Sequence, residues 1–219
     1  MFIGHYGAAF LLKKKYNKVP LWTLFISVLF VDILTFIFLL FGLEKMNYNP
    51  SNNPFLRTTY EYYPFTHSLL GTIVISLVVF FIFSQFKDRT WGLALSLGVL
   101  SHWLIDFIVH IPDLALINNN FKVGLGLWNF PWIAFLIEVA FFVGSGYYLF
   151  RNSKNFKKSL IIICLGVLLF TPTMFSPDQE VPIIAMVITS LISYFIFTCL
   201  AYWVEKKKSK NSKKKLFVS

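Results

Sequence analysis

The chain is short of charge and nearly free of cysteine. Asp, Glu, Lys and Arg make up 14% of its 219 residues, too few to cover the surface of a soluble domain of that length. The two cysteines, Cys164 and Cys199, both lie inside apolar runs. Neither a disulfide framework nor a cysteine-based zinc site is therefore available, and both thiols are expected to pack in the core. A basic leader with a small-residue cleavage site is missing from the start, so no removable signal peptide is expected. Internal repeats are absent as well: the ionisable residues of the first half have no echo in the second.

What remains is strongly apolar: 57% hydrophobic, 19% aromatic, with a mean hydropathy of +0.66. This places the chain among polytopic, all-α membrane proteins. Six runs are long enough, or nearly so, to cross a hydrocarbon core of roughly 30 Å as helices. They are residues 21–43, 67–86, 91–111, 129–150, 159–175 and 182–204, the fifth being the shortest. A single transmembrane domain over residues 1–205 is expected, followed by a basic tail at 206–219.

The net charge of +10 would suggest nucleic acid in a soluble protein, but nothing accompanies it that could read bases. Its distribution follows membrane topology instead. With Lys13–Lys15 and Lys18 placed inside, seventeen of the twenty Lys and Arg residues fall in inside segments. Only Lys45, Arg57 and Lys122 fall outside. Both termini are therefore expected in the cytoplasm. The tail is expected to be disordered and to hold anionic lipid headgroups, at about 1 kcal/mol per basic residue.

The opening segment MFIGHYGAAFLL is apolar but too short to span, and its lysines come only after it. A surface-lying amphipathic helix would carry Lys or Arg along its polar face. A re-entrant half-helix is expected instead, shielded by the first and third helices. Eight residues at 1.5 Å raise His5 about 12 Å above Lys13, toward Asp32 and His102.

The densest cluster of ionisable groups is SHWLIDFIVHIPD, carrying His102, Asp106, His110 and Asp113. At 100° per residue these fall at about 0°, 40°, 80° and 20°, on one narrow helix face. An ionisable group in a bilayer costs several kcal/mol unless paired, solvated or bound to a cation, which makes each a candidate functional residue. Counting from the lysine clusters, Asp32 and His102 lie about 20 Å up, Asp106 about 26 Å, and His67 and His110 about 30 Å. This gives a deep layer of Asp32, His102 and His5, an outer layer of His67 and His110, and Asp106 between them. Histidine with aspartate suits zinc, and also manganese or iron. The layers are too tall for one ion but suit two with Asp106 as a bridge. Thr66 is expected to cap the second helix beside His67, and Lys122 is the nearest cation for an anionic substrate group.

Each residue also has a plainer reading. His67 and His110 near the boundary suit solvated interfacial side chains, and Asp113 after Pro112 suits a helix-terminal loop. Asp32 and His102 near the midplane suit a buried interhelical hydrogen bond. Glu138 reads equally as a partner to the cluster or as a packing carboxyl.

At these residues the chain resembles a family of bacterial membrane-bound proteins classed as metal-dependent hydrolases, known as DUF457 or YdjM-like. The resemblance lies in MFIGHYGAAF, FVDILTF, YYPFTHSLL and SHWLIDFIVHIPDLAL, with KVGLGLWN marking one subgroup. It covers roughly the first 140 residues, and the last two helices carry nothing specific. The resemblance implies a metal set of His5, Asp32, His67, His102 and Asp106, and residence in the bacterial inner membrane. His110 and Asp113 match the subgroup more than the wider family. The wider family often carries a second acidic residue and a histidine after its first-span aspartate. Here Asp32 is followed by Ile, Leu and Thr, one ligand fewer.

The leading expectation is a hydrolase of a lipid or lipid-linked ester or phosphoester, with a site open to the outer half of the bilayer. Asp106 and His110 are its candidate catalytic residues, one of them serving as general base. A small permease using the same groups as a proton or ion relay is the alternative, and a non-catalytic protein with a structural metal is the third.

Overall fold

The computed structural model describes residues 3–206 of the protein. Eight helices make up most of it: α1 (Gly4–Lys15), α2 (Leu21–Val28), α3 (Phe30–Leu40), α4 (Leu69–Phe86), α5 (Arg89–Val109), α6 (Pro131–Phe150), α7 (Phe156–Phe170) and α8 (Ile183–Glu205). Helix α7 runs on through a 3-10 turn, so that Phe156–Phe175 forms one span-length rod. Five helices are long and apolar enough to cross a membrane, or six if α2 and α3 count as one broken span. The expectations for the basic tail from Lys207 onward, and for Met1 and Phe2, lie outside the described residues.

The structure departs from the expected architecture in three places. The first run is not one helix: α2 and α3 meet at 47° around Leu29. Neither proline nor glycine stands there, and a side chain that takes a ladder carbonyl accounts for the bend, as described below. Second, α4 starts at Leu69, not His67, and Ser68 caps it by accepting the Gly71 N–H at 3.0 Å. Thr66, the expected cap, has other partners. Gly71 allows this tight entry, because a Cβ there would stand 1.7 Å from the Phe65 carbonyl oxygen.

Third, an all-α fold omits two antiparallel hairpins. Strands β1 (Lys45–Tyr48) and β2 (Thr58–Tyr62) form one, β3 (Leu114–Ile117) and β4 (Asn120–Val123) the other. The second turns on Asn118 at φ 52°, a left-handed value that asparagine tolerates better than most residues. Both hairpins sit at the end of the bundle opposite the lysine-rich loops.

The bundle has apolar residues outside and polar ones within. Phe81, Leu136, Phe195 and many like them are exposed, whereas His5, His67, His102, Asp106 and Glu138 are buried. Such a surface suits lipid, because the membrane satisfies outward apolar side chains while the polar groups satisfy one another inside. Cys164 and Cys199 belong to the outward faces. The expectation that they pack in the core is thereby corrected.

Helix α1 is about 18 Å long and is buried from Gly4 to Phe10. It packs against α6 and, together to the same extent, against α2 and α5, so the first and third spans shield it as expected and the fourth joins them. Its far end is latched: Lys13 Nζ lies 2.6 Å from Glu205 Oε1 at the end of α8. The other oxygen of Glu205 accepts the Leu21 N–H that opens α2, at 2.6 Å.

Candidate metal centre

His102 and Asp106 stand one turn apart on α5 and are both buried. What brings them against α2 is Gly98, one turn earlier. A Cβ at Gly98 would lie 2.1 Å from Ser27 Oγ, so only glycine permits the two helices to approach this closely. The approach sets His102 Nδ1 2.7 Å from the Val28 carbonyl oxygen. A continuous helix would give that carbonyl to the amide of residue 32; here the imidazole takes it, at the bend. A carbonyl accepts only from a protonated nitrogen, so Nδ1–H donates, and in the neutral ring Nε2 keeps its lone pair.

His67 is set the same way by different means. Its Nδ1 lies 3.0 Å from Thr35 Oγ1 and 3.1 Å from Thr66 Oγ1. The Thr66 hydroxyl donates to Glu44 Oε2 at 2.6 Å, and Glu44 Oε1 accepts the N–H groups of Phe65 and Thr66. The Thr35 hydroxyl donates to Val31 O or to Thr66, at 3.0 and 2.7 Å. With its hydrogen given to Glu44, the Thr66 hydroxyl can only accept from the ring, which makes Nδ1–H the donor, and in the neutral ring Nε2 of His67 also points inward with a lone pair. Trp103 Nε1 fixes the same loop by donating to the His67 carbonyl at 3.0 Å.

The two inward nitrogens face one another at 3.3 Å. Asp32 Oδ1 lies 3.5 Å from His67 Nε2 and 3.4 Å from His102 Nε2. Asp106 Oδ2 lies 3.7 and 3.1 Å from the same two atoms. A four-coordinate ion bound at about 2.0–2.1 Å would hold its donors about 3.3–3.4 Å apart along each tetrahedral edge. The five distances scatter around that value, and the donor atoms close enough together for one ion form two overlapping groups: Asp32 with His67 and His102, and Asp106 with His102 and His5. Two lone pairs and two carboxylates converging in a buried site require a cation or shared protons to be tolerable.

Asp32 forms the wall of this group nearest open space, its side chain 20% exposed. It faces a cavity of about 280 Å³ lined by Thr35, Tyr60, Trp128, Glu138 and Tyr194, among others. Tyr194, on α8, donates to Asp32 Oδ2 at 2.9 Å. Glu138 is buried in the same wall. Burial first, then the Asp106 carboxylate, pushes the Tyr60 phenol well above its ordinary pKa, so it serves as a neutral hydroxyl.

His5 and His110 lie on the opposite side of Asp106. The ring of His5 stacks on His102 at 3.9 Å, and its Nε2 lies 3.3 Å from Asp106 Oδ1. His110 Nε2 stands 4.0 Å from the same oxygen, while its Nδ1 meets Asp113 Oδ1 at 3.0 Å. The grouping differs from the one that helix heights suggest. His67 joins the deep pair instead of an outer layer with His110, because it precedes α4 and its side chain reaches downward. Asp113, read plainly as a loop residue, orients His110 and accepts the Tyr60 N–H at 3.2 Å.

Lys122 does not point to a substrate position. Its ammonium donates to the carbonyls of Tyr60 and Glu61 at 2.7 and 2.9 Å and ties one hairpin to the other. Sequence reasoning missed Glu44, Thr35 and Tyr194. Thr35 had a signal, one turn from Asp32 on the same helix face, and Glu44 had the weaker one of a carboxylate closing an apolar run. Tyr194 had none. In comparisons with known proteins, no family model, no curated protein and no solved structure matches the chain.

Proposed function

We propose that the protein is a membrane-embedded, metal-dependent hydrolase whose Asp32, His67 and His102, with Asp106 beside them, hold a divalent ion, zinc before manganese or iron. The observation that carries this reading is the pair of histidines whose Nδ1 atoms are both committed to acceptors. Their Nε2 lone pairs meet two carboxylates at 3.1–3.7 Å. Carboxylate or carbonyl support behind a ligating imidazole is the usual way a protein fixes its tautomer. When bound, the ion would polarise a scissile carbonyl or phosphoryl group and acidify a water.

The chain's own residues supply the rest. The cavity beside Asp32 admits a substrate from the hairpin half of the bundle. Its apolar walls suit a lipid or lipid-linked ester or phosphoester, and the Tyr60 and Tyr194 hydroxyls suit hydrogen bonds to its polar head. Both termini are placed in the cytoplasm by the lysine distribution, the hairpins outside, and the basic tail against anionic headgroups. Helix α1 then enters the bilayer without crossing it. Membership of the DUF457 or YdjM-like family of the bacterial inner membrane belongs to the same proposal.

A structural metal is the second reading, favoured by one observation: His67, His102 and Asp106 are almost wholly buried. Metal analysis of protein purified in detergent tests the site. Wild type should carry zinc near one equivalent or more, and His102→Ala and His67→Ala should lose most of it. Equal content in all three would overturn the proposal. Turnover of short-chain phospholipids or ester lipids by loaded protein then separates the enzyme from the structural reading.

A further inference from the structure

Helix α5 packs closely on two neighbours that make little contact with each other. Gly98 brings it to α2, and Gly92 brings it to α4, where a Cβ would stand 2.1 Å from Ser84 Oγ and 2.7 Å from the Phe80 carbonyl oxygen. Helices α2 and α4 make no comparable contact, so a groove of about 340 Å³ is left between them with α5 as its floor. Val79, Leu95 and Val99 are buried along the bottom, and Ile26 stands exposed on the rim. The groove shares no lining residue with the cavity beside Asp32.

Its polar groups are few and unevenly placed. Thr23 Oγ1 donates to the Pro20 carbonyl at 2.7 Å and Ser27 Oγ to the Leu24 carbonyl at 2.9 Å, so both hydroxyls are spent on their own helix. Lys87, Trp91 and Trp22 stand together at the lysine-rich end. The exposed Lys87 ammonium lies over the Trp91 ring, 5.6 Å from its centroid. The neighbouring carboxylate of Asp88 is committed to capping α5, accepting the Thr90 and Trp91 N–H groups at 2.7 and 3.0 Å.

We propose that this groove binds one anionic phospholipid, with an acyl chain lying on α5 and the phosphate at Lys87. The site does not depend on the metal reading given above. Charge complementarity argues for this occupant: Lys18 and Arg89 on the adjoining connections add to Lys87, and tryptophans at a headgroup level offer indole N–H donors above an apolar body. Length argues the same way. From Trp91 to Val99 the floor runs eight residues, about 12 Å, most of the roughly 15 Å of hydrocarbon in one leaflet. A helix of a second copy, about 10 Å across, would need about 900 Å³ over that length and is too bulky to enter.

Mass spectrometry of the intact, delipidated full chain in detergent, titrated with phosphatidylglycerol or phosphatidylcholine, tests this. Wild type should retain one phosphatidylglycerol about fivefold more tightly than phosphatidylcholine, as one basic residue at the surface allows. Lys87→Gln, a change at an exposed position, should erase that preference. Ile26→Trp should close the groove from its rim and lose the tightly held lipid of either kind. The tail lysines add a background common to all variants, so the differences between variants carry the result. Equal retention of the two lipids by wild type, or a preference that survives Lys87→Gln, would overturn the headgroup assignment and with it the proposal. Retention unchanged in Ile26→Trp would place the lipid elsewhere. A dimer that persists without lipid and is lost in Ile26→Trp would give the groove to a second copy instead.

Discussion

The Nδ1 of His102 meets the carbonyl oxygen of Val28 at 2.7 Å, and the first span breaks one residue later. The contact joins the bend to the metal set. It also makes the approach of α5 to α2 a condition for the site, which leads to the first prediction.

Gly98→Ala should push α5 away from Ser27, where the added methyl has 2.1 Å of room, and should cost about 1–3 kcal/mol of stability as an overpacking defect. Metal affinity should fall with it. Ser27→Gly in the same chain should recover most of the bound metal, since it removes the atoms in the way. Elemental analysis of the single and double variants decides this, and a double variant no better than Gly98→Ala would disprove the link.

Glu44 acts on the site through Thr66 and His67. Replacing it with Gln keeps its volume but removes the charge that accepts the Thr66 hydroxyl and two amides. Metal affinity should drop about ten- to a hundredfold, read by competition with a chelating dye. An unchanged affinity would show that the Thr66 hydroxyl needs no carboxylate behind it.

Lys122→Met should leave metal content at the wild-type level. It removes two hydrogen bonds to the β2 carbonyls, so amide exchange in both hairpins should speed up. Loss of metal in this variant would give Lys122 a place in the site that its contacts do not indicate.

The fourth prediction concerns acid. Asp178 sits in the loop before α8, where the Tyr48 hydroxyl donates to it at 2.7 Å and Arg57 stands at 3.4 Å. The Tyr48 hydrogen bond is the main cause holding its carboxyl below the ordinary range. A carboxyl lowered in the folded state stabilises above its unfolded pKa and stops doing so as pH falls through the folded value. The loop over residues 176–182 should therefore loosen only at pH below the ordinary carboxylate range, and Asp178→Asn should remove that dependence. Hydrogen exchange of the loop against pH measures it.

How far the sequence revealed the fold depends on which signals are local. His102 and Asp106 were legible because one helix carries both, and the span-length runs because hydropathy is additive along a chain. Lysine counting fixed the register of each run but not the direction its side chains take. For that reason the count groups His67 with His110, whereas the structure sets it beside Asp32. The break at Leu29 had no marker, since its cause lies seventy residues away on another helix. The hairpins were missed because strands of four and five residues inside Asn- and Pro-rich connections offer too few alternations to read. Tyr194 and Glu44 reach the site only through the packing of distant helices, which no spacing rule contains.

Helix α1 is fixed at two depths, by the Lys13–Glu205 pair at one end and by His5 against Asp106 at the other. Between those points it works as a ruler of eight residues, about 12 Å long. Inserting or deleting a single residue between Tyr6 and Leu12 would shift His5 by about 1.5 Å and turn it by about 100°, out of the site altogether. The segment can thus change the size of its side chains within what α6 accommodates, but it cannot change its length.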